Sequence, residues 1–229
     1  MNFRCFALLA FIPLMSCSSS TTTPQSTITQ PAFVFTPVST LTVVPTVENP
    51  SITPSFTTDP VIGIDFVAEL CSARWTSNSK DLPCPGENFK NSPDGYVGLY
   101  DPALINVKET SSAILTYPAQ NTLEGIFGHY PAYDVKAGDQ FSTYVTCLTD
   151  APCDVQFALE YYDGNGGYHN NFVGWNYRSG EPVKEVIVEL SQLAGQRLEF
   201  VLALRPNSNS ESAYALWIGP RIIVTALSQ

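Results

Sequence analysis

From Asp154 to Asp163 the chain alternates strictly: Val155, Phe157, Leu159 and Tyr161 share one face, while Gln156, Glu160 and Tyr162 share the other. A repeat of two is the period of an extended strand, whose successive side chains point to opposite sides of a sheet. Gln196 to Leu204 repeats the pattern, with Leu198, Phe200, Leu202 and Leu204 set against Arg197, Glu199 and Val201. Val183 to Leu190 alternates through Val186 and Val188. Further strand-like runs are Asp65 to Leu70, Gly95 to Tyr100, Ala113 to Tyr117, Gly125 to Tyr133, Gln140 to Leu148, Phe172 to Tyr177 and Tyr214 to Val224. Turn-forming groups separate them, among them Pro93-Asp94-Gly95, Ala137-Gly138-Asp139, Asp163 to Gly167, Ser179-Gly180 and Pro206 to Asn209. The one helix-like hint is a turn around Leu190 to Gly195. About nine strands with little helix predict an all-β fold, a two-sheet antiparallel sandwich over residues 61–229, long enough for one hydrophobic core.

The N-terminus has a different character. Arg4 gives a short basic start, Phe6 to Leu14 is an apolar run broken only by Pro13, and small or polar residues follow. This is the build of a secretory signal peptide over residues 1–16, shorter than the roughly 20 apolar residues a membrane span needs. The run closes in Leu14-Met15-Ser16-Cys17, which resembles the bacterial lipobox. That resemblance implies cleavage before Cys17 and a diacylglyceryl thioether on its sulfur. Acyl chains such as palmitate would then hold the protein to the bacterial cell envelope. Ser18 rather than Asp at the following position implies the outer membrane in a cell that has two.

Residues 17–60 read as a spacer. Of the 43 residues from Ser18 to Pro60, 26 are Ser, Thr or Pro, and only Glu48 and Asp59 are charged. Such a composition buries too little apolar surface to offset the entropy of ordering, so a disordered stalk is expected. A stalk rich in Thr and Pro is also a candidate for O-glycosylation.

The chain has 11 basic and 21 acidic residues, net −10, which excludes a nucleic-acid partner as the working expectation. Cysteine usage fits export. Apart from Cys5 in the signal and Cys17, four cysteines remain, and four permit three pairings. A sequential arrangement, Cys71 with Cys84 and Cys147 with Cys153, is expected because each pair brackets a turn-rich segment. The rival zinc site lacks any C-x-x-C spacing, and the chain has only two His.

Two stretches carry a further resemblance. Val186 to Leu204 contains Val-Glu-Leu-Ser-Gln-Leu-Ala-Gly-Gln-Arg-Leu-Glu-Phe-Val-Leu-Ala-Leu, and Tyr214 to Ile222 reads Tyr-Ala-Leu-Trp-Ile-Gly-Pro-Arg-Ile. Together they resemble the C-terminal half of galactose-binding-like jelly rolls, a group that includes carbohydrate-binding modules. The resemblance runs from Gly125 onward. It implies a jelly-roll sandwich and admits a structural calcium ion, with no other cofactor. Trp217, Pro220 and Arg221 are expected to serve core packing and strand closure.

No catalytic residues are assigned and no enzyme is expected. There is no G-x-S-x-G, and the acids Asp134, Asp139, Glu160 and Asp163 fall mostly at strand ends or turns. Asp163 to Gly167 lacks the closing Glu of a calcium loop and reads as a hairpin turn, so no metal ligands are named. Aromatics are denser: Tyr161, Tyr162, Tyr168, His169, Trp175 and Tyr177 fall close together, with Asn165, Asn170, Asn171 and Asn176 among them. A sugar ring offers an apolar C–H face and a hydroxyl rim, and so calls for a flat aromatic platform with amides or carboxylates beside it. The expected ligand residues are therefore Tyr168, His169, Asn170, Trp175 and Tyr177, with Trp75 as a second platform. The reading is a lipid-anchored envelope protein displaying a non-catalytic glycan-binding sandwich. Its rivals are a structural or protein-adhesion module that meets another envelope protein and, third, a glycoside hydrolase.

Overall fold

The computed structural model describes residues 60–88, 92–101, 112–120, 122–148, 153–208 and 213–224, all within the compact unit Ser55–Gln229. The signal peptide, Cys17 and nearly all of the stalk lie outside the described residues. Thirteen strands are found among those described, with one short 3-10 helix, Ser191–Leu193, at the helix-like hint.

They form two antiparallel sheets. The first has the order β11 (Lys184–Glu189), β8 (Asp139–Cys147), β13 (Ala215–Val224), β5 (Ala113–Pro118), β4 (Gly95–Tyr100). β1 (Val61–Asp65) joins the far end of β13. The second runs β10 (Tyr168–Arg178), β9 (Asp154–Tyr162), β12 (Arg197–Pro206), β6 (Ile126–His129), β2 (Arg74–Ser77), β3 (Lys80–Asp81), and β7 (Tyr133–Asp134) pairs with the start of β12. The all-β, two-sheet antiparallel sandwich expected from the alternation is the observed fold.

The inward faces follow the period-two pattern. Val155, Phe157, Leu159 and Tyr161 of β9 and Leu198, Phe200, Leu202 and Leu204 of β12 all enter the core between the sheets. Trp217 of the first sheet meets Phe157 of the second edge-to-face, ring centroids 4.8 Å apart. The Trp-Ile-Gly-Pro-Arg-Ile motif explains a switch of neighbours along β13. Ala215 to Ile218 pair with β5, Arg221 to Val224 pair with β1, and the register against β8 shifts between Ile218 and Arg221. Gly219 sits at that break with φ +55°, a conformation that glycine adopts without a Cβ clash. Pro220 follows it, and its carbonyl accepts the Phe66 N–H at 3.1 Å. Trp217 is fully buried, in keeping with a packing role.

Both sequential disulfides form, Cys71–Cys84 and Cys147–Cys153. The strand expected over Asp65 to Leu70 does not form. The Asp65 carboxylate accepts the N–H groups of Val67 and Ala68, at 2.9 and 3.0 Å, and this local bonding turns the chain out of the sheet. β1 ends there instead. The strand expected over Gly125 to Tyr133 is broken into β6 and β7, and β10 begins at Tyr168, earlier than the Phe172 start that the polar run before it suggested.

Candidate functional site

The outward face of the second sheet is set by the other half of the alternation. β9 presents Gln156, Ala158, Glu160 and Tyr162, and β12 presents Glu199, Val201, Ala203 and Arg205. Registers align them in rows: Thr76, Phe127, Ala203, Ala158 and Gly174 lie side by side across five strands. Beside them run Arg74, His129, Val201 and Glu160. Ala158, Val201 and Ala203 are small and fully covered, with Phe127 and Tyr162 packed over them as a minor apolar cluster on this face.

Two adjoining depressions, about 420 and 410 Å³, occupy this face and share Arg74, His129 and Tyr162. One continues toward Ser72, Pro131 and Glu199, the other toward Thr76, Asp81, Phe127 and Tyr168. The rings of Tyr162 and Tyr168 stack 4.6 Å apart and 16° from parallel, and His129 lies 5.8 Å from Tyr162 at a tilt of 38°. Tyr168 keeps 39% of its surface exposed. Stacked, part-exposed rings beside hydrogen-bonding side chains are the arrangement that an apolar ring face with a hydroxyl rim would fit.

Charges around the groove are largely paired. Arg74 Nη1 lies 3.3 Å from Asp81 Oδ1. Glu160 has no exposed surface, and its Oε1 lies 2.8 Å from Arg205 Nη1 while Arg205 Nη2 donates to Oε2 at 2.9 Å. The Tyr168 hydroxyl donates to Oε2 and the Asn171 N–H donates to Oε1 at 2.9 Å. The Arg205 guanidinium also sits 4.9 Å above the Phe127 ring. Burial pushes the Glu160 carboxyl up, but the bonds from Arg205, Tyr168 and the Asn171 N–H outweigh it and hold the group below the usual carboxylate range. Burial and the Glu160 anion raise the Tyr168 hydroxyl. His129 is lowered, first by burial and then by the Arg74 cation, so its ring is uncharged at neutral pH.

The expected ligand residues separate. Tyr168 lines the groove. His169 points to the opposite face of β10, where its ring stacks on Tyr161 at 4.5 Å and its Nε2 lies 3.0 Å from Asp163 Oδ2. Asn170 is exposed next to it. Trp175 stands opposite Phe157 on the inward side and packs, half-buried, against the core from the sheet edge. Two expectations are corrected outright. Tyr177 is 2% exposed, its hydroxyl bonded to Thr146 and to the Glu181 carbonyl. Trp75 is 1% exposed, its Nε1 donating to the Leu70 carbonyl at 2.8 Å. Each ring faces inward from its strand, so neither offers a surface to a ligand.

Sequence reasoning left Arg74, Phe127, His129 and Arg205 out of the site. The signal available for Tyr162 was its parity with Gln156 and Glu160; Arg74 and His129 needed the pairing of β2 with β6. Among the described residues, no three His, Cys, Asp or Glu side chains gather as metal ligands.

No protein-family model matches the chain, and no curated protein does. Among solved structures the chain is similar to TmCBM61 in complex with beta-1,4-galactotriose, at 9% identity and a TM-score of 0.45, covering 72% of this chain and 99% of that one. It is similar to the CBM22-1 xylan-binding domain of Paenibacillus barcinonensis Xyn10C at 17% identity and a TM-score of 0.40, over 67% and 88% of the two chains. A third is the CBM22-1 and GH10 modules of Clostridium thermocellum Xyn10B complexed with xylohexaose, at 11% identity and a TM-score of 0.42, over 74% and 29%. The first two of these chains are carbohydrate-binding modules, and the third carries one beside its GH10 module.

Proposed function

We propose that the sandwich binds an uncharged glycan, without chemical turnover, in the groove on the outer face of the second sheet. The observation that carries this is the stacked pair Tyr162 and Tyr168, with His129 beside it, lining the depressions on this face. A sugar's C–H face would lie against the rings while its hydroxyls reach Arg74, Thr76, Asp81 and Glu199. The charge pairing supports an uncharged ligand. Arg74 faces Asp81, Arg205 faces Glu160 and His129 is neutral, so Glu199 leaves the groove slightly negative on a protein of net −10. An anionic sugar would meet repulsion there.

Binding rather than hydrolysis is the reading; Glu160, the central carboxylate, has no exposed surface beneath Tyr168 and is held by Arg205, Tyr168 and the Asn171 N–H. It could not reach a glycosidic oxygen. Cys17 and the stalk would anchor this domain to the bacterial envelope and hold it outward, where glycans are met.

The test is retention of the full chain on immobilised neutral oligosaccharides, including xylohexaose and β-1,4-galactotriose, beside uronic-acid oligosaccharides. Retention on a neutral member, weakened by Tyr162→Ala, is expected. Retention on none, or on the acidic members alone, would overturn the reading.

A further inference from the structure

Glu160 is a fully buried carboxylate on the outward face of the second sheet; its Oε1 pairs with Arg205 Nη1 at 2.8 Å, and it accepts hydrogen bonds from Arg205 Nη2, the Tyr168 hydroxyl and the Asn171 N–H. An ionised carboxylate, which accepts and never donates, meets all three hydrogen-bond donors and the guanidinium charge. Balancing Arg205 alone would not need the last two.

Those last two sit where the sheet is interrupted. Among the described strands, β10 ends its sheet, with β9 as its one neighbour. His169 pairs with Tyr161 and Val173 with Leu159, so β10 carries two more residues than β9 between these points, and the ladder fails opposite Glu160. Asn171 stands in the break at φ +54°, and its N–H, with no strand partner, is taken by Glu160. Tyr168 lies just before the break, part-exposed, and among the described residues Tyr162 is the ring that stacks on it.

We propose that Glu160 is a positioning residue of the groove: held by Arg205, it fixes the Tyr168 hydroxyl and the Asn171 backbone together, and so lays the Tyr168 ring flat on Tyr162 before any ligand arrives. This rests on the glycan-binding reading, and it makes the platform pre-organised rather than assembled by its ligand. Phe127, under the Arg205 guanidinium, steadies the far end of the same chain of contacts.

The test uses the full chain with Glu160→Gln and Tyr168→Phe, both of which keep the Tyr168 ring or its phenyl equivalent. Without ligand, the near-ultraviolet circular dichroism of the stacked pair is expected to collapse in Glu160→Gln, which leaves both tyrosine chromophores in place. Hydrogen exchange at the Asn171 amide is expected to quicken about tenfold or more in Glu160→Gln, the size of a lost bond to a charged group. Retention on the neutral oligosaccharides named above is expected to fall about tenfold in both. Tyr168→Phe loses one hydroxyl at a part-exposed site and keeps the test valid should Glu160→Gln fail to fold. Unchanged dichroism in Glu160→Gln overturns the positioning role, as does wild-type retention by Tyr168→Phe should Glu160→Gln fail to fold. So does wild-type retention preserved in both variants, an outcome that leaves the glycan reading standing. Collapse of the dichroism in a chain whose wild type retains no sugar supports the positioning role and overturns the glycan reading instead.

Discussion

The indole of Trp75 lies directly on Gly128 of the neighbouring strand, so closely that a methyl group at Gly128 would stand 2.5 Å from Trp75 Cη2. The indole cannot yield: its nitrogen is tied to Leu70 and its ring meets Tyr130 edge-to-face at 6.0 Å. Gly128→Ala is therefore expected to destabilise the domain by about 1–3 kcal/mol through overpacking. Thermal unfolding with a parallel shift in tryptophan emission measures this; an unchanged melting temperature would show that the indole has room to move.

Glu160 makes stability depend on pH in a stated direction. Its carboxyl is lower in the folded chain than its ordinary value near 4.5, so the folded state favours the ionised form. The contribution is complete above that ordinary value and is lost as pH falls through the lower, folded one. Glu160→Gln is expected to be less stable than wild type at neutral pH and to converge with it under acid. Urea midpoints measured from pH 7 down to 3 follow the difference, and a gap that stays constant over that range would contradict the assignment.

The fully buried Asp139 accepts the Tyr133 hydroxyl at 2.9 Å and the Lys136 N–H at 2.8 Å. Burial, then the bond to Asp139, pushes the Tyr133 hydroxyl up to about 12. Tyr133→Phe removes one of the two donors from a buried carboxylate and is expected to cost about 1–3 kcal/mol. Chemical denaturation measures it.

The two disulfides close loops of different length, with separations of 13 residues for Cys71–Cys84 and 6 for Cys147–Cys153. Chain-entropy arithmetic gives about 3 kcal/mol for the first and about 2 for the second. Paired Cys→Ser replacements, compared by denaturant midpoint, are expected to fall in that order.

Much of the fold could be read from period-two alternation, because β9 and β12 bury one complete face each and the alternation records it. The cysteine pairing was legible for a local reason, since each partner lies across a short turn-rich segment. The site was legible only in part. Aromatic identity marks a ring but not the side of the sheet it faces: Tyr168 lies outward, while Tyr177 and Trp175 have the opposite parity and turn to the core. That difference follows once Tyr177 is set opposite Val155 and Trp175 opposite Phe157, a pairing that the strand sequence alone does not display. Trp75 was misplaced because β2 is only four residues long, too short for its alternation to stand out beside the disulfide-tied turn. Arg74 and His129 become neighbours through pairing across more than fifty positions, which no local pattern carries.

The central claim is that sugar is met by the outward rings of β9 and β10 rather than by the aromatic side chain at the edge of the core. Titration calorimetry of a retained neutral oligosaccharide against wild type, Tyr162→Ala and Trp175→Ala tests it most directly. Loss of affinity of about tenfold or more is predicted for Tyr162→Ala, as for a central aromatic anchor, with Trp175→Ala unchanged. Affinity kept by Tyr162→Ala and lost by Trp175→Ala would contradict the account.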